Sequence, residues 1–303
     1  MLLLSWHPSF ILPLPKDHQF PMVKYEKVKD YLLTRTIVTS SNFTIPKLVP
    51  IEILNLVHTE EYIQKTVTGA QTEAEIRRIG FPYSSKMVRR ERLICGAMIQ
   101  AAENSLKHGI SFNMAGGTHH AFAEYGSAYC IFNDMAVAAQ YLLSKSLVQR
   151  VLIVDLDVHQ GNGTASIFAN KPNVFTFSMH GASSFPLKKQ QSDCDIALPD
   201  STNNEEYLTL LSTNLGQIIE RFKPQIVLYQ AGVDLMWCDK LGRISLTTNG
   251  IRERDRIVFE HCLSRNIPVA GCIGGGYASD INLIVEAHCN TIISAKEILL
   301  KYK

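Results

Sequence analysis

Two carboxylates and an imidazole alternate in the segment Asp155-Leu156-Asp157-Val158-His159. In an extended segment alternate side chains point to the same side, and these residue types are ordinary ligands of a divalent metal such as Zn²⁺. A strand end capped by an Asp–His pair would give the same pattern without a metal. The metal interpretation gains weight from Asp234, which follows the apolar run Ile226–Tyr229 in the same strand-end context. An Asp/His/Asp set leaves coordination positions open, as a catalytic site requires.

Two further segments carry groups that suit hydrolysis. In Gly116-Gly117-Thr118-His119-His120, two adjacent histidines follow two glycines, and histidine exchanges protons near neutral pH. In Gly274-Gly275-Gly276-Tyr277 a tyrosine follows three glycines, and the segment lacks the spacing of a phosphate-binding loop. A tyrosine hydroxyl is a neutral hydrogen-bond donor at pH 7 and can stabilise an oxyanion. The four segments together predict a metal site with a proton-handling pair and an oxyanion donor.

Alternating strand and helix patterns must position these groups. The predicted strands are short apolar runs at Met1–Trp6, Ser111–Ala115, Val151–Asp155, Val174–Ser178, Ile226–Tyr229 and Pro268–Ile273. The predicted helices, with apolar residues three and four apart, are Lys86–Lys107, Asp134–Lys145, Asn204–Phe222, Asn249–Arg265 and Asp280–Lys301. The alternation predicts an α/β fold with a mostly parallel sheet covered on both faces. Ligands of such sheets bind at the carboxyl ends of the strands.

Composition narrows the classes of function. With 46% hydrophobic and 19% charged residues and no linker-like tract, the 303 residues are expected to form one globular domain, 1–303. The net charge of +2 is too small for direct nucleic-acid binding, and no run approaches the roughly 18 apolar residues of a membrane span. The seven cysteines are scattered and include no C-x-x-C pair. They favour a reducing compartment, and the expected location is cytoplasmic.

Taken together, these segments resemble the histone deacetylase and acetoin-utilisation family. The matching stretches are Gly116–Phe122, Ala128–Asp134, Val154–Gly163, Phe177–Gly181, Ala231–Gly242 and Gly274–Tyr277. The Gln160–Asn162 run and a loop at Ser192–Pro199 favour a class IV-like or bacterial branch. The resemblance implies an arginase/deacetylase-like three-layer fold and hydrolysis of the acylated lysine of a protein or peptide. It implies Zn²⁺ as the cofactor, although Fe²⁺ suits the same ligands.

The resemblance also implies roles for single residues. Asp157, His159 and Asp234 would be the metal ligands. His120 would be the general base, His119 its partner in acid or electrostatic work, and Tyr277 the group that polarises the carbonyl. Asp155 would orient His119. Asn162 would lie behind His120, where class I members have an aspartate, and an amide stabilises imidazolium less than a carboxylate does.

Further sites follow from the resemblance alone. Tyr129, Gly117 and Phe185 would line a substrate tunnel. K⁺ would bind beside the active site at Asp155, Asp157, His159, Ser178 and Met179, and a second ion at carbonyls near Phe168, Lys171 and Val174. Gln19 stands where relatives often carry an arginine, which would alter the exit of acetate if that arginine assists it.

Three other functions fit parts of the pattern. An acetylpolyamine or other small-amide hydrolase could use the same fold and site. An arginase-like enzyme would need a second metal and a second His-containing cluster, which the sequence lacks. A silent binding module would be expected to have lost His120, Asp234 or Tyr277, and all three are present.

Overall fold

The apolar runs of the sequence form the centre of one parallel sheet. The computed structural model describes residues 1–302, so Lys303, the last residue of the predicted domain, lies outside the described residues. The strands are β1 Leu3–Ser5, β2 Phe43–Thr44, β3 Ile110–Asn113, β4 Val151–Asp155, β5 Val174–Gly181, β6 Cys194–Leu198, β7 Ile226–Gln230 and β8 Val269–Cys272. Their order is β2-β1-β3-β8-β7-β4-β5-β6, and all of these pairs are parallel.

Helices cover both faces of this sheet. They are α1 Lys24–Thr34, α2 Ile51–Leu54, α3 Glu60–Thr68, α4 Glu73–Ile79, α5 Ser85–His108, α6 Asp134–Ser144, α7 Asn162–Phe168, α8 Asn204–Phe222, α9 Thr248–Leu263 and α10 Ile281–Lys301. Alternate residues of β4 pack into different hydrophobic clusters on the two faces of the sheet. Leu152 and Val154 belong to one cluster, and Val151 and Ile153 belong to the other. The predicted α/β fold with helices on both sides of a parallel sheet is therefore confirmed.

The elements that the sequence did not reveal are short or polar. The segment Ser192–Pro199 was expected to be a loop, but its residues Cys194–Leu198 form the edge strand β6, whose first four positions alternate between half-buried and exposed. Strand β2 has two residues, and it lies outside β1, so the N-terminal run forms an inner strand. In the described part of the chain, no helix is long and apolar enough to cross a membrane.

The register of four neighbouring strands brings the chemical groups together. Asn113 of β3 pairs with Cys272 of β8, Cys272 with Gln230 of β7, and Gln230 with Asp155 of β4. These four strands therefore end at the same level. The segments that follow them carry the two histidines, the tyrosine, Asp234 and the Asp157/His159 pair, so all of these groups leave the sheet at one edge.

Candidate active site

Asp157, His159 and Asp234 form a buried cluster of three side chains that could hold a metal ion, called here the metal-ligand cluster. One ligand atom from each lies within 4.8 Å of the others. His159 Nδ1 lies 3.0 Å from Asp157 Oδ1 and 3.2 Å from Asp234 Oδ2. Tetrahedral ligands that are about 2.0–2.2 Å from a zinc ion lie about 3.3–3.6 Å from one another, so this spacing is close to that of a metal site.

The hydrogen bonds of the two carboxylates leave room for a cation. Asp234 Oδ1 accepts the Val158 amide at 2.9 Å, while Asp234 Oδ2 is buried and has no hydrogen-bond partner. Burial and the neighbouring Asp157 carboxylate both raise the pKa of Asp234 above its usual range. Two carboxylates this close are costly in the interior unless a cation lies between them, so the residues present fit a divalent metal.

The two histidines lie side by side in different electrostatic environments. Their ring centroids are 4.1 Å apart. His119 Nδ1 donates to Asp155 Oδ2 at 2.7 Å. Burial lowers the pKa of His119, but the carboxylates of Asp155 and Asp157 outweigh this effect and raise the pKa to about 9. His120 Nδ1 donates to Asn162 Oδ1 at 2.7 Å. Burial and the two neighbouring histidines hold the pKa of His120 well below its ordinary value, so at pH 7 it is neutral with Nε2 unprotonated.

The glycine loop before Tyr277 passes close to the metal-ligand cluster. Gly275 N donates to Asp157 Oδ2 at 3.0 Å, and a Cβ on Gly275 would lie 2.0 Å from Asp234 Oδ2, so only glycine fits there. Tyr277 N donates to Asp239 Oδ2 at 2.6 Å, which fixes the base of the tyrosine. Burial raises the pKa of its phenol well above the ordinary value, so the hydroxyl stays a neutral donor.

One cavity of about 270 Å³ is lined by His119, His120, Asp157, His159 and Tyr277. Exposed residues mark its mouth, namely Ser183, Phe185, Leu241 and Arg243. The site side chains His119, His120, Asp157 and His159 are buried in its wall, and Tyr277 is half-buried there. The three residues predicted to line a tunnel, Tyr129, Gly117 and Phe185, all belong to its wall. Phe185 meets His120 edge to face, with ring centroids 4.9 Å apart.

Comparison with known proteins identifies the family. Residues 18–292 match the family model described as the histone deacetylase domain. The chain belongs to the histone deacetylase family. It is therefore a hydrolase of that family, whose domain implies a divalent metal and an acylated substrate, and the buried Asp157/His159/Asp234 group could bind such a metal.

Relatives fit the bacterial side of this superfamily. The chain is 43% identical over 283 residues to an uncharacterised protein of a Picosynechococcus strain, covering 93% of this chain and 94% of that protein. It is 30% identical to the acetoin utilization protein AcuC of Bacillus subtilis (86% and 73% covered) and 29% identical to histone deacetylase 2 of Arabidopsis thaliana (90% and 73% covered). An HDAC homolog from Aquifex aeolicus superposes with a TM-score of 0.82 at 25% identity, covering 99% of this chain and 88% of that one.

Sequence reasoning singled out Gln19 and missed a buried lysine, Lys24, that contacts the site. The Gln19 side chain is exposed, whereas Lys24 of α1 is fully buried and its Nζ donates to Gly274 O at 2.6 Å. The ammonium also lies 5.8 Å from the centroid of the Tyr277 ring. Phe20 was missed as well, and its ring lies 5.4 Å from that of Tyr129 in the cavity wall.

A third missed residue, Arg254 of α9, contacts the backbone beside the metal-ligand cluster. Its Nη1 donates to the carbonyl oxygens of Leu156 and Gly232, which belong to the two segments that carry the ligands. Asp255 pairs with this guanidinium in the fully buried interior. Arg254 thus ties the end of β4 to the end of β7.

The residues assigned to K⁺ lie in two places. Asp155 and Ser178 are register partners on β4 and β5, with Met179 next along β5, and they lie beside the Asp157–His159 segment. Phe168, Lys171 and Val174 lie in the turn from α7 into β5, where Lys171 N donates to Phe168 O and Val174 N to Lys171 O, each at 3.0 Å. K⁺ at either place stays a prediction.

Proposed function

We propose that this chain hydrolyses the amide bond of an acylated lysine in a protein or peptide. The observation that carries the proposal is one cavity at which a metal-ligand cluster, a neutral histidine and a neutral tyrosine hydroxyl meet. The aromatic walls of Phe20, Tyr129 and Phe185 suit the four-carbon chain of a lysine, since such a chain makes only apolar contacts along its length.

The charges in the cavity favour acyl-lysine over an acetylated polyamine. Asp157 is the one acidic residue in the described lining, and it is a proposed metal ligand. Arg243 stands at the mouth. A polyamine carries additional ammonium groups that need acidic partners, and an arginine at the entrance would repel them. The substrate is therefore expected to present one acylated side chain that carries no further ammonium group.

The roles of the histidines follow from their protonation. A divalent ion held by Asp157, His159 and Asp234 would polarise the scissile carbonyl and lower the pKa of a water molecule. Because Asn162 accepts the Nδ1 hydrogen, the free Nε2 of His120 is the site that takes a proton from that water. His119, charged beside Asp155, is the group that can give a proton to the leaving lysine amine.

Tyr277 completes the site. Its hydroxyl would donate to the carbonyl oxygen as negative charge develops there, which stabilises the transition state more than the bound substrate. The backbone bonds from Gly275 and Tyr277 to Asp157 and Asp239 hold the loop that carries it. Fixing a donor before the reaction avoids a reorganisation cost during it.

We propose Zn²⁺ as the native ion, with Fe²⁺ as an ion that the same donors accept, and K⁺ at the two places described. We also propose a reducing, cytoplasmic location, supported by seven cysteines that are all free.

The test compares kcat/KM for an acetyl-lysine peptide with that for an acetylated polyamine, using metal-loaded protein and a His120→Ala control. The peptide is expected to be hydrolysed at least about tenfold more efficiently, with the control inactive on both. Preferred hydrolysis of the polyamine would contradict the proposed substrate class.

A further inference from the structure

The cavity does not end at the catalytic side chains. Its wall also includes Tyr25 of α1 and Arg90 and Ile94 of α5, which are at most 2% exposed, in contrast to the exposed residues at its mouth. An acyl group attached to a lysine that enters from the mouth would point toward these residues once its carbonyl reached the metal-ligand cluster. The inner end of the cavity therefore contacts the acyl group and not the lysine.

Arg90 is an unusual residue for the end of an acyl pocket. A purely hydrocarbon acyl chain offers no partner to a guanidinium, and a charged group this deeply buried is costly unless it is paired. Arg90 Nε donates to Phe10 O at 2.7 Å and Nη1 pairs with Glu91, but Nη2 is buried without a hydrogen-bond partner. The guanidinium is thus held on two nitrogens and has donor capacity left on the third.

The neighbouring acids do not use up this capacity. Burial raises the pKa of Glu91 to about 7, although Arg90 opposes this, so its carboxylate is an incomplete counter-ion at neutral pH. Glu91 itself is not part of the described cavity wall. Asp134, the other acid nearby, accepts the amides of Gly117 and Thr118 and the Thr118 hydroxyl. A second buried cation, Lys24, lies 5.4 Å from the centroid of the Tyr25 ring, as does the guanidinium carbon of Arg90.

We propose that the inner end of this cavity binds a carboxylate on Arg90, so that the favoured substrates are lysines acylated with a short dicarboxylic acid, such as succinyl- or glutaryl-lysine. This inference rests on the proposed function and names the acyl class for that site. Hydrolysis adds one water across the amide C–N bond and releases the lysine amine and the dicarboxylic acid, with no co-reactant. Arginine suits this role because its planar fork matches a carboxylate.

The experiment compares succinyl-lysine with 4-methylpentanoyl-lysine in the same peptide, because the two acyl groups have the same shape and differ only in the terminal carboxylate. A second pair is glutaryl and 5-methylhexanoyl, which extends the reach by one carbon. Binding of labelled peptides is measured by fluorescence anisotropy on zinc-loaded Tyr277→Phe protein, in which turnover is slow. We expect the carboxylate member of one pair to bind roughly 10- to 100-fold more tightly than its isostere.

Variants in the same background assign the effect to Arg90. In Arg90→Met/Glu91→Gln both buried charges are removed together, which usually preserves folding better than removal of one, and the preference is expected to vanish while the isostere still binds. Glu91→Gln alone removes the internal counter-ion and should strengthen the preference. Arg89→Met is the matched control, because Arg89 is the exposed neighbour on the same helix and should leave the preference unchanged.

Several results would overturn the inference. Equal affinities within both peptide pairs would do so, as would a preference that survives in the double variant. If the double variant fails to bind the isostere, the Glu91→Gln variant decides the question. An unchanged preference for the carboxylate peptide in that variant would then contradict the inference. A different outcome would be equal peptide affinities together with competition by free acetate that requires Arg90. That result would show that the guanidinium binds the released product and would refute the inference.

The same samples separate this inference from the proposed function. Wild-type protein that hydrolyses acetyl- and 4-methylpentanoyl-lysine without preferring succinyl or glutaryl would refute only the inference. Wild-type protein that hydrolyses no acyl-lysine peptide would refute the proposed function, while the anisotropy data would still report whether Arg90 binds the terminal carboxylate.

Discussion

Replacing Asn162 with aspartate should move the acid limb of the pH–rate profile to higher pH. His120 Nδ1 donates to Asn162 Oδ1 at 2.7 Å, and both side chains are buried. In the wild-type protein, the pKa of His120 is held well below 6.5 by its burial and by the neighbouring His119 and His159, so the base stays neutral as the pH falls. A carboxylate in place of the amide would stabilise the imidazolium and raise that pKa.

The size of the shift follows from the distance and the burial. Two unit charges 2.7 Å apart attract by about 6 kcal/mol at an effective dielectric constant of about 20. Burial of the new carboxylate offsets much of this attraction, and a neighbouring opposite charge typically raises a histidine pKa by about 1–3 units, or about 1.4–4 kcal/mol. Because protonation removes the base, activity of Asn162→Asp should be lost at a pH about 1–3 units higher than in wild type and should recover at alkaline pH.

The assay is kcat/KM for a fluorogenic acetyl-lysine peptide from pH 5 to 9 with metal in excess. Asn55→Asp, an exposed substitution of the same kind, is the control and should leave the acid limb in place. An Asn162→Asp protein with an unmoved acid limb, or with equal loss at every pH, would refute the reasoning that Asn162 acts through the protonation of His120.

Three further substitutions test separate parts of the site. Tyr277→Phe should lower kcat by about 10²–10³ with KM nearly unchanged, and less on an activated trifluoroacetyl-lysine; a rise in KM alone would make Tyr277 a wall residue. His120→Ala should lose about 10²–10⁴ in rate while metal content stays the same, and a parallel loss of metal would make His120 a ligand. Lys24→Met should lower kcat by about tenfold or more, because Lys24 holds the loop that carries Tyr277, and wild-type kinetics with this variant would disprove that role.

The part of the site that could be predicted from sequence is the part that follows strands directly. Asp157, His159 and Asp234 come after apolar runs that are typical of buried strands, and parallel strands bring their carboxyl ends to one edge. The local pattern therefore located the candidate metal ligands without any knowledge of long-range contacts. The same logic placed the two histidines and Tyr277 beside them.

The contacts that could not be predicted join distant parts of the chain. Lys24 donates to Gly274, which is 250 residues away in the chain, and nothing in the helical pattern of α1 indicates that Lys24 points inward. Arg90 lies next to an exposed arginine on the same helix, so residue type alone does not separate the two. Strand β6 was missed because an edge strand with exposed polar positions lacks the apolar run that identifies an inner strand.

The most direct test of the central claim is a metal titration of the chelator-treated protein. Zn²⁺ or Fe²⁺ is added stepwise while bound metal is measured by mass spectrometry and hydrolysis of an acetyl-lysine peptide is followed in the same samples. The metal-dependent account predicts one activating ion per chain, activity that rises in proportion to occupancy, and neither binding nor activity in Asp234→Ala. Full hydrolysis by metal-free protein, or an Asp234→Ala variant that binds the ion and hydrolyses the peptide normally, would contradict it.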